Sequence, residues 1–161
     1  MKTIKYDRIA AISYALKWAE SRNPEYFNFD NFGGDCTNFV SQCLYAGSKT
    51  MNYTPIVGWY YNSAYDRTAS WTGVDYLYKF LTTNNGYGPF AKNIDINKIE
   101  LGEVVELGRF NGDFYHAAII SDIKNGKIYV CAHTFDVKNK PLDSYLYDQA
   151  RFLHIEGIRT K

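Results

Sequence analysis

The chain has 161 residues, and 18 basic against 17 acidic side chains leave a charge of +1, without the positive field that binding to a phosphate backbone needs, so nucleic acid is excluded as a partner. No run approaches the roughly 18 apolar residues of a membrane span. At about 150 residues per domain the length reads as a single domain over residues 1–161, with an aromatic content of 17% dominated by 15 Tyr.

From Asp7 to Glu20, Ile9, Ile12, Leu16 and Ala19 fall on one helical stripe, which Ser21, Asn23 and Pro24 stop. Asp7, Arg8, Lys17 and Glu20 interrupt this segment, so it is no signal peptide, and the chain is expected to be made without a leader or to be a domain of a longer secreted protein. Glu25 to Gly34 is an aromatic, Asn/Gly-rich ordered loop. A second helix opens at Asp35 as N-cap, carries Cys36, Phe39, Val40, Cys43 and Leu44 on one stripe, and ends at Gly47. Ser48 to Ala69 reads as a structured surface loop. A third helix begins with Thr72 and Asp75 as a capping box, has Val74, Leu77, Tyr78 and Leu81 as its stripe, and stops at Asn84-Asn85-Gly86. From Glu103 onwards the period changes to two, with strands at Glu103 to Leu107, Phe114 to Ser121, Lys127 to His133 and Arg151 to Ile158. Helices followed by strands predict an α+β fold, N-terminal helices packed on an antiparallel sheet.

Cys36 carries the strongest chemical signal. A helix N-terminus favours the thiolate, Gly33 and Gly34 clear the approach, and the Cys36 N–H can face a developing oxyanion. If Asn125-Gly126 is a two-residue turn, Lys124 faces Lys127, position 116 faces 135 and position 118 faces 133. His116 and His133 then share a face as diagonal neighbours, so that one can take the thiol proton while the other fixes its tautomer. Asp136 is the weaker orienting candidate, and His154 reads as structural. Cys36 and Cys43 are about 10 Å apart along their helix, too far for a disulfide, and Cys43 and Cys131 read as packing residues. No metal-ligand spacing occurs, and neither metal nor cofactor is expected.

The runs Asp35-Cys36-Thr37-Asn38-Phe39-Val40-Ser41-Gln42-Cys43-Leu44, Ser70-Trp71-Thr72-Gly73-Val74, Tyr115-His116, Ala132-His133-Thr134 and His154-Ile155-Glu156-Gly157 together resemble the bacterial "putative amidase domain" family, grouped with NlpC-type and CHAP-type cell-wall hydrolases. The resemblance implies a papain-like fold and a monomeric, endolysin-like peptidoglycan amidase acting at the bacterial cell wall, secreted or phage-released. It places nucleophile, base and orienting residue on Cys36, His116 and His133. Tyr26 and Asn31 are candidates for the second oxyanion donor, and Asp35, Trp59 and Trp71 for substrate contacts. Three other uses stay open: a stem-peptide endopeptidase, an acyltransferase with the same triad, and a glycan- or peptide-binding module built on the aromatic loops Glu25 to Phe32 and Tyr53 to Tyr65.

Overall fold

In the computed structural model, which describes residues 1–161, the Asp7 side chain accepts the Ala10 N–H at 3.0 Å and opens α1, Arg8–Trp18. Its buried face is Ala11, Ile12, Ala15 and Ala19, whereas Ile9 is 71% exposed. The stripe is rotated from the expected one because the contact with α2, Cys36–Ser48, is made through small residues that let the helices approach closely. Gly47 serves the same approach: a Cβ there would lie 2.5 Å from Tyr6 Cε1 and 2.7 Å from the Asp7 carbonyl. The helix runs past it to Ser48 and is closed by Lys49 in the left-handed region, whose N–H donates to Tyr45 O.

α2 is not one-sided. All its residues except Tyr45 are buried, so its polar side chains must find internal partners. Asn38 accepts from Trp71 Nε1, Ser41 from Trp59 Nε1, and Gln42 from the Tyr14 hydroxyl. The predicted third helix is two elements, α3 at Ala69–Thr72 and α4 at Val74–Thr83, with Gly73 between them. The expected capping box at Thr72 is therefore absent, since Thr72 closes α3.

The strands are β1 Lys2–Ile4, β4 Gly88–Ile94, β5 Val104–Gly108, β6 Phe114–Lys124, β7 Lys127–Ala132, β8 Val137–Pro141 and β9 Gln149–Thr160, with a small separate hairpin of β2, Tyr61–Ser63, and β3, Asp66–Arg67. All ladders are antiparallel, in the order β1-β9-β5-β6-β7-β8, with β4 also on β9. Both faces of the sheet are covered. Val104, Ala117, Ile119, Cys131 and Leu153 pack with the helices, while Val105, Leu107, Ala118, Ile120 and Val130 form a second core that includes Ile99 and Leu142.

One irregularity decides the site. The β6–β7 hairpin holds the expected register from Lys124↔Lys127 to Asp122↔Tyr129, then shifts to Ile120↔Val130 and Ile119↔Cys131. Ser121 is the extra residue, its hydroxyl donating to Asn139 Oδ1 at 2.7 Å. A slip of one residue reverses which side chains share a face. His116 therefore has the parity of Ala118 and Ile120, and His133 that of Cys131.

Candidate active site

The approach to Cys36 is a tight turn. Gly33 and Gly34 have φ of 92° and 98°, values that side chains other than glycine rarely adopt, and the Gly34 N–H returns to Phe29 O. Asp35 organises this turn instead of capping α2. Its Oδ1 accepts from the Phe29 N–H at 2.8 Å and from Asn38 Nδ2 at 2.9 Å, while its own N–H donates to Thr134 Oγ1 at 3.2 Å. Thr134 and Phe135 are consecutive residues in the left-handed region, φ 63° and 57°, a strained turn of the kind found at functional sites. These contacts fix the residue before the thiol from both sides.

His133 completes this cluster. Its Nδ1 lies 2.6 Å from Asp35 Oδ2 and its Nε2 2.7 Å from Trp18 O, with the ring stacked on Phe39 at 4.0 Å. Both ring nitrogens are committed, so the expected contact with His116 is not made; the bulge at Ser121 has carried the two imidazoles apart. Arg22 Nε comes within 3.4 Å of Asp35 Oδ2 without the alignment of a hydrogen bond, and its remaining nitrogens bond Asp30 and Asp136. Asp136 is thus a partner of Arg22. Burial opposes the Asp35 carboxylate, but the bonds from His133, the Phe29 N–H and Asn38 outweigh it and hold its carboxyl below the usual range.

Cys36 and His116 line one pocket of about 630 Å³, together with Gly33, Gly34 and Tyr145. Cys36 is 9% exposed. Burial pushes it above the ordinary thiol value, against the backbone N–H of Ala117 and the hydroxyl and N–H of Thr37, so the helix N-terminus does not produce a resting thiolate. The imidazole of His116 is pushed down to about 4, first by burial and then by the Lys140 ammonium. Its Nε2 is buried and has no partner, and no hydrogen bond joins it to the sulfur. A neutral imidazole with an unengaged buried nitrogen, beside a neutral thiol, is suited to accept a proton during attack. The first-turn amides of α2 supply the donors an oxyanion requires.

The other candidates lie elsewhere. Trp59 and Trp71 are fully buried, 4.7 Å apart, with their indole N–H groups supporting α2; neither can touch substrate. Tyr26 is half-buried and stacks on Trp71 at 6.1 Å. Asn31 is exposed outside the pocket, and Asp35 is buried beneath it. All three cysteines are free. His154 bonds Glu103 through Nδ1 at 2.9 Å, in a cluster with Glu100 that Arg8 neutralises. Sequence reading missed Lys140 and Tyr145. They stand on β8 and just after the 3-10 turn Leu142–Ser144, a stretch that reads only as a polar loop.

A family model described as "Putative amidase domain" matches residues 5–156. Two proteins of Bacillus subtilis (strain 168) are similar to the chain. "Uncharacterized protein YhbB" is 34% identical over 99% of this chain and 53% of its own length, and "Uncharacterized protein YjcM" is 25% identical over 96% and 37%. The chain therefore spans about half or less of the relatives it matches. No solved structure matches it.

Proposed function

Because the chain belongs to the "Putative amidase domain" family, we propose that it is a cysteine-dependent amide hydrolase of bacterial peptidoglycan, of papain-like type, that cuts the amide between N-acetylmuramic acid and the L-alanine of the stem. The observation that carries this reading is that Cys36, at a helix N-terminus, and His116, whose buried Nε2 has no partner, line one pocket.

In this mechanism the Cys36 thiol gives its proton to His116 as the sulfur attacks the amide carbonyl, and the oxyanion faces the Cys36 N–H. Collapse breaks the C–N bond, the imidazolium proton leaves with the amine, and a thioester remains. Water then attacks the thioester, losing its proton to the same imidazole, which returns it to the departing sulfur as the carboxylic acid is released. Both groups start neutral, so proton transfer accompanies attack. His133 acts as a positioning residue, through Asp35, on the segment that presents the sulfur.

Digestion of purified sacculi, followed by mass spectrometry, tests the bond. Sugar-free stem peptides with N-terminal alanine, and no new reducing ends, are expected. Glycans carrying truncated stems would make the protein an endopeptidase. Incorporation of an added amine would make it an acyltransferase, and sedimentation with intact sacculi would make it a binding module.

A further inference from the structure

Resting on the nucleophile assigned above, we propose that Lys140 is the anion-recognition residue of the pocket and that the substrate presents a carboxylate close to the carbonyl attacked by Cys36.

The pocket has no acidic side chain in its wall, and Lys140 is its one lysine or arginine. Lys140 forms no ion pair and no side-chain hydrogen bond, whereas Lys124 and Lys127 on the β6–β7 hairpin each pair with an aspartate. It is nevertheless held in place. Its backbone belongs to β8, opposite Val130 on β7, and its Nζ stands 4.0 Å over the Tyr145 ring, which in turn lies 5.7 Å from the His116 ring. This cation–π contact fixes an ammonium without discharging it. The half-buried charge is felt at the catalytic wall, where it contributes to lowering the His116 imidazole. A lysine kept only for solubility would point to water and leave that ring unaffected.

Two large apolar side chains stand at the rim. Phe135 and Leu146 are 92% and 95% exposed and line the same pocket. A single unneutralised cation beside an apolar rim fits a substrate of matching form: an anionic group next to the scissile carbonyl, with an aliphatic or sugar-face surface beyond it.

Two small alkylating reagents isolate the charge. Iodoacetate carries a carboxylate beside its reacting carbon, and iodoacetamide is its neutral amide. The rate of Cys36 modification by each is measured by peptide mass spectrometry at pH 7.5, and their ratio is normalised to free cysteine. The iodoacetamide rate absorbs any change in thiol availability. The normalised ratio is expected to exceed one in the intact protein and to fall by about threefold to fivefold in Lys140→Met, the size of a partly exposed ion pair. Lys140→Glu should lower it further, Lys140→Arg should retain it, and high salt should reduce it only where the cation is present. An unchanged ratio in Lys140→Met and Lys140→Glu, with Cys36 still labelled, would overturn the anion site while leaving the nucleophile in place. If neither reagent labels Cys36 before Cys43 and Cys131, which are fully buried, the nucleophile reading falls and this inference with it.

Discussion

His116 gives a measurable thermodynamic signature. Its imidazole titrates near 4 in the folded chain against an ordinary 6.5. At 1.36 kcal/mol per pH unit the gap is worth about 3 kcal/mol, and with the residue only 8% exposed no solvent discount applies. The folded value lies below the unfolded one, so the unfolded chain binds the extra proton first. Stability is therefore complete above about 6.5 and is lost as pH falls towards 4, with about 2.5 kcal/mol gone by pH 4.5. Replacing His116 with Asn removes the titrating group. Urea unfolding of both proteins at pH 7.5 and 4.5 supplies a double difference in which all other groups cancel. The variant should retain about 2.5 kcal/mol more of its neutral-pH stability at pH 4.5. Equal acid losses in the two proteins would refute the claim that this imidazole is buried, neutral and unpartnered.

The acid limb of kcat/KM should fall through about 4, the His116 value, and not near 6.5; a midpoint above 6 in initial-rate profiles would count against His116 as the base. His133→Phe keeps the stack on Phe39 but strips Asp35 of its closest partner, and should cost about 3 kcal/mol in urea unfolding while slowing Cys36 alkylation. Gly47→Ala drives a Cβ into the Tyr6 ring and the Asp7 carbonyl, and calorimetry should show a loss of about 1–3 kcal/mol without a change in the alkylation ratio of Cys36. Glu106 is fully buried and bonded by Arg151, and burial raises its carboxyl to about 8 although Arg151 lowers it; Arg151→Met should destabilise the fold in urea unfolding, by an amount that stays constant up to about pH 8 and grows above it, where only the intact protein's carboxyl ionises.

What could be read from the chain depended on how much of each element's environment is local. The start of α2 was legible because a polar residue, a thiol and an apolar run follow two glycines, but its burial on all sides depends on α1, α3 and the sheet, which no helical period reports. The four long strands alternate visibly. β1, β4 and β8 escaped because edge strands carry few buried side chains: β1 is exposed throughout, β4 opens with Gly88-Pro89, and β8 reads Val-Lys-Asn-Lys-Pro. Cys36 is legible from its helix position, whereas His116 is singled out together with His133 by hairpin arithmetic that assumes an exact register. The pairing of His116 with His133 depends on it, and one unpaired residue at Ser121, with no glycine to signal a bulge, reversed the outcome. Lys140 had no signal at all, since its meaning comes from Tyr145 and His116, each distant or unremarkable in sequence.

If the sulfur of Cys36 performs the cleavage, its removal must abolish turnover. Dye release from labelled sacculi by the intact protein and by Cys36→Ala, at matched and folded concentrations, tests it most directly. Steady release by the intact protein and none above background by the variant is the expected result. Equal release by both would contradict it.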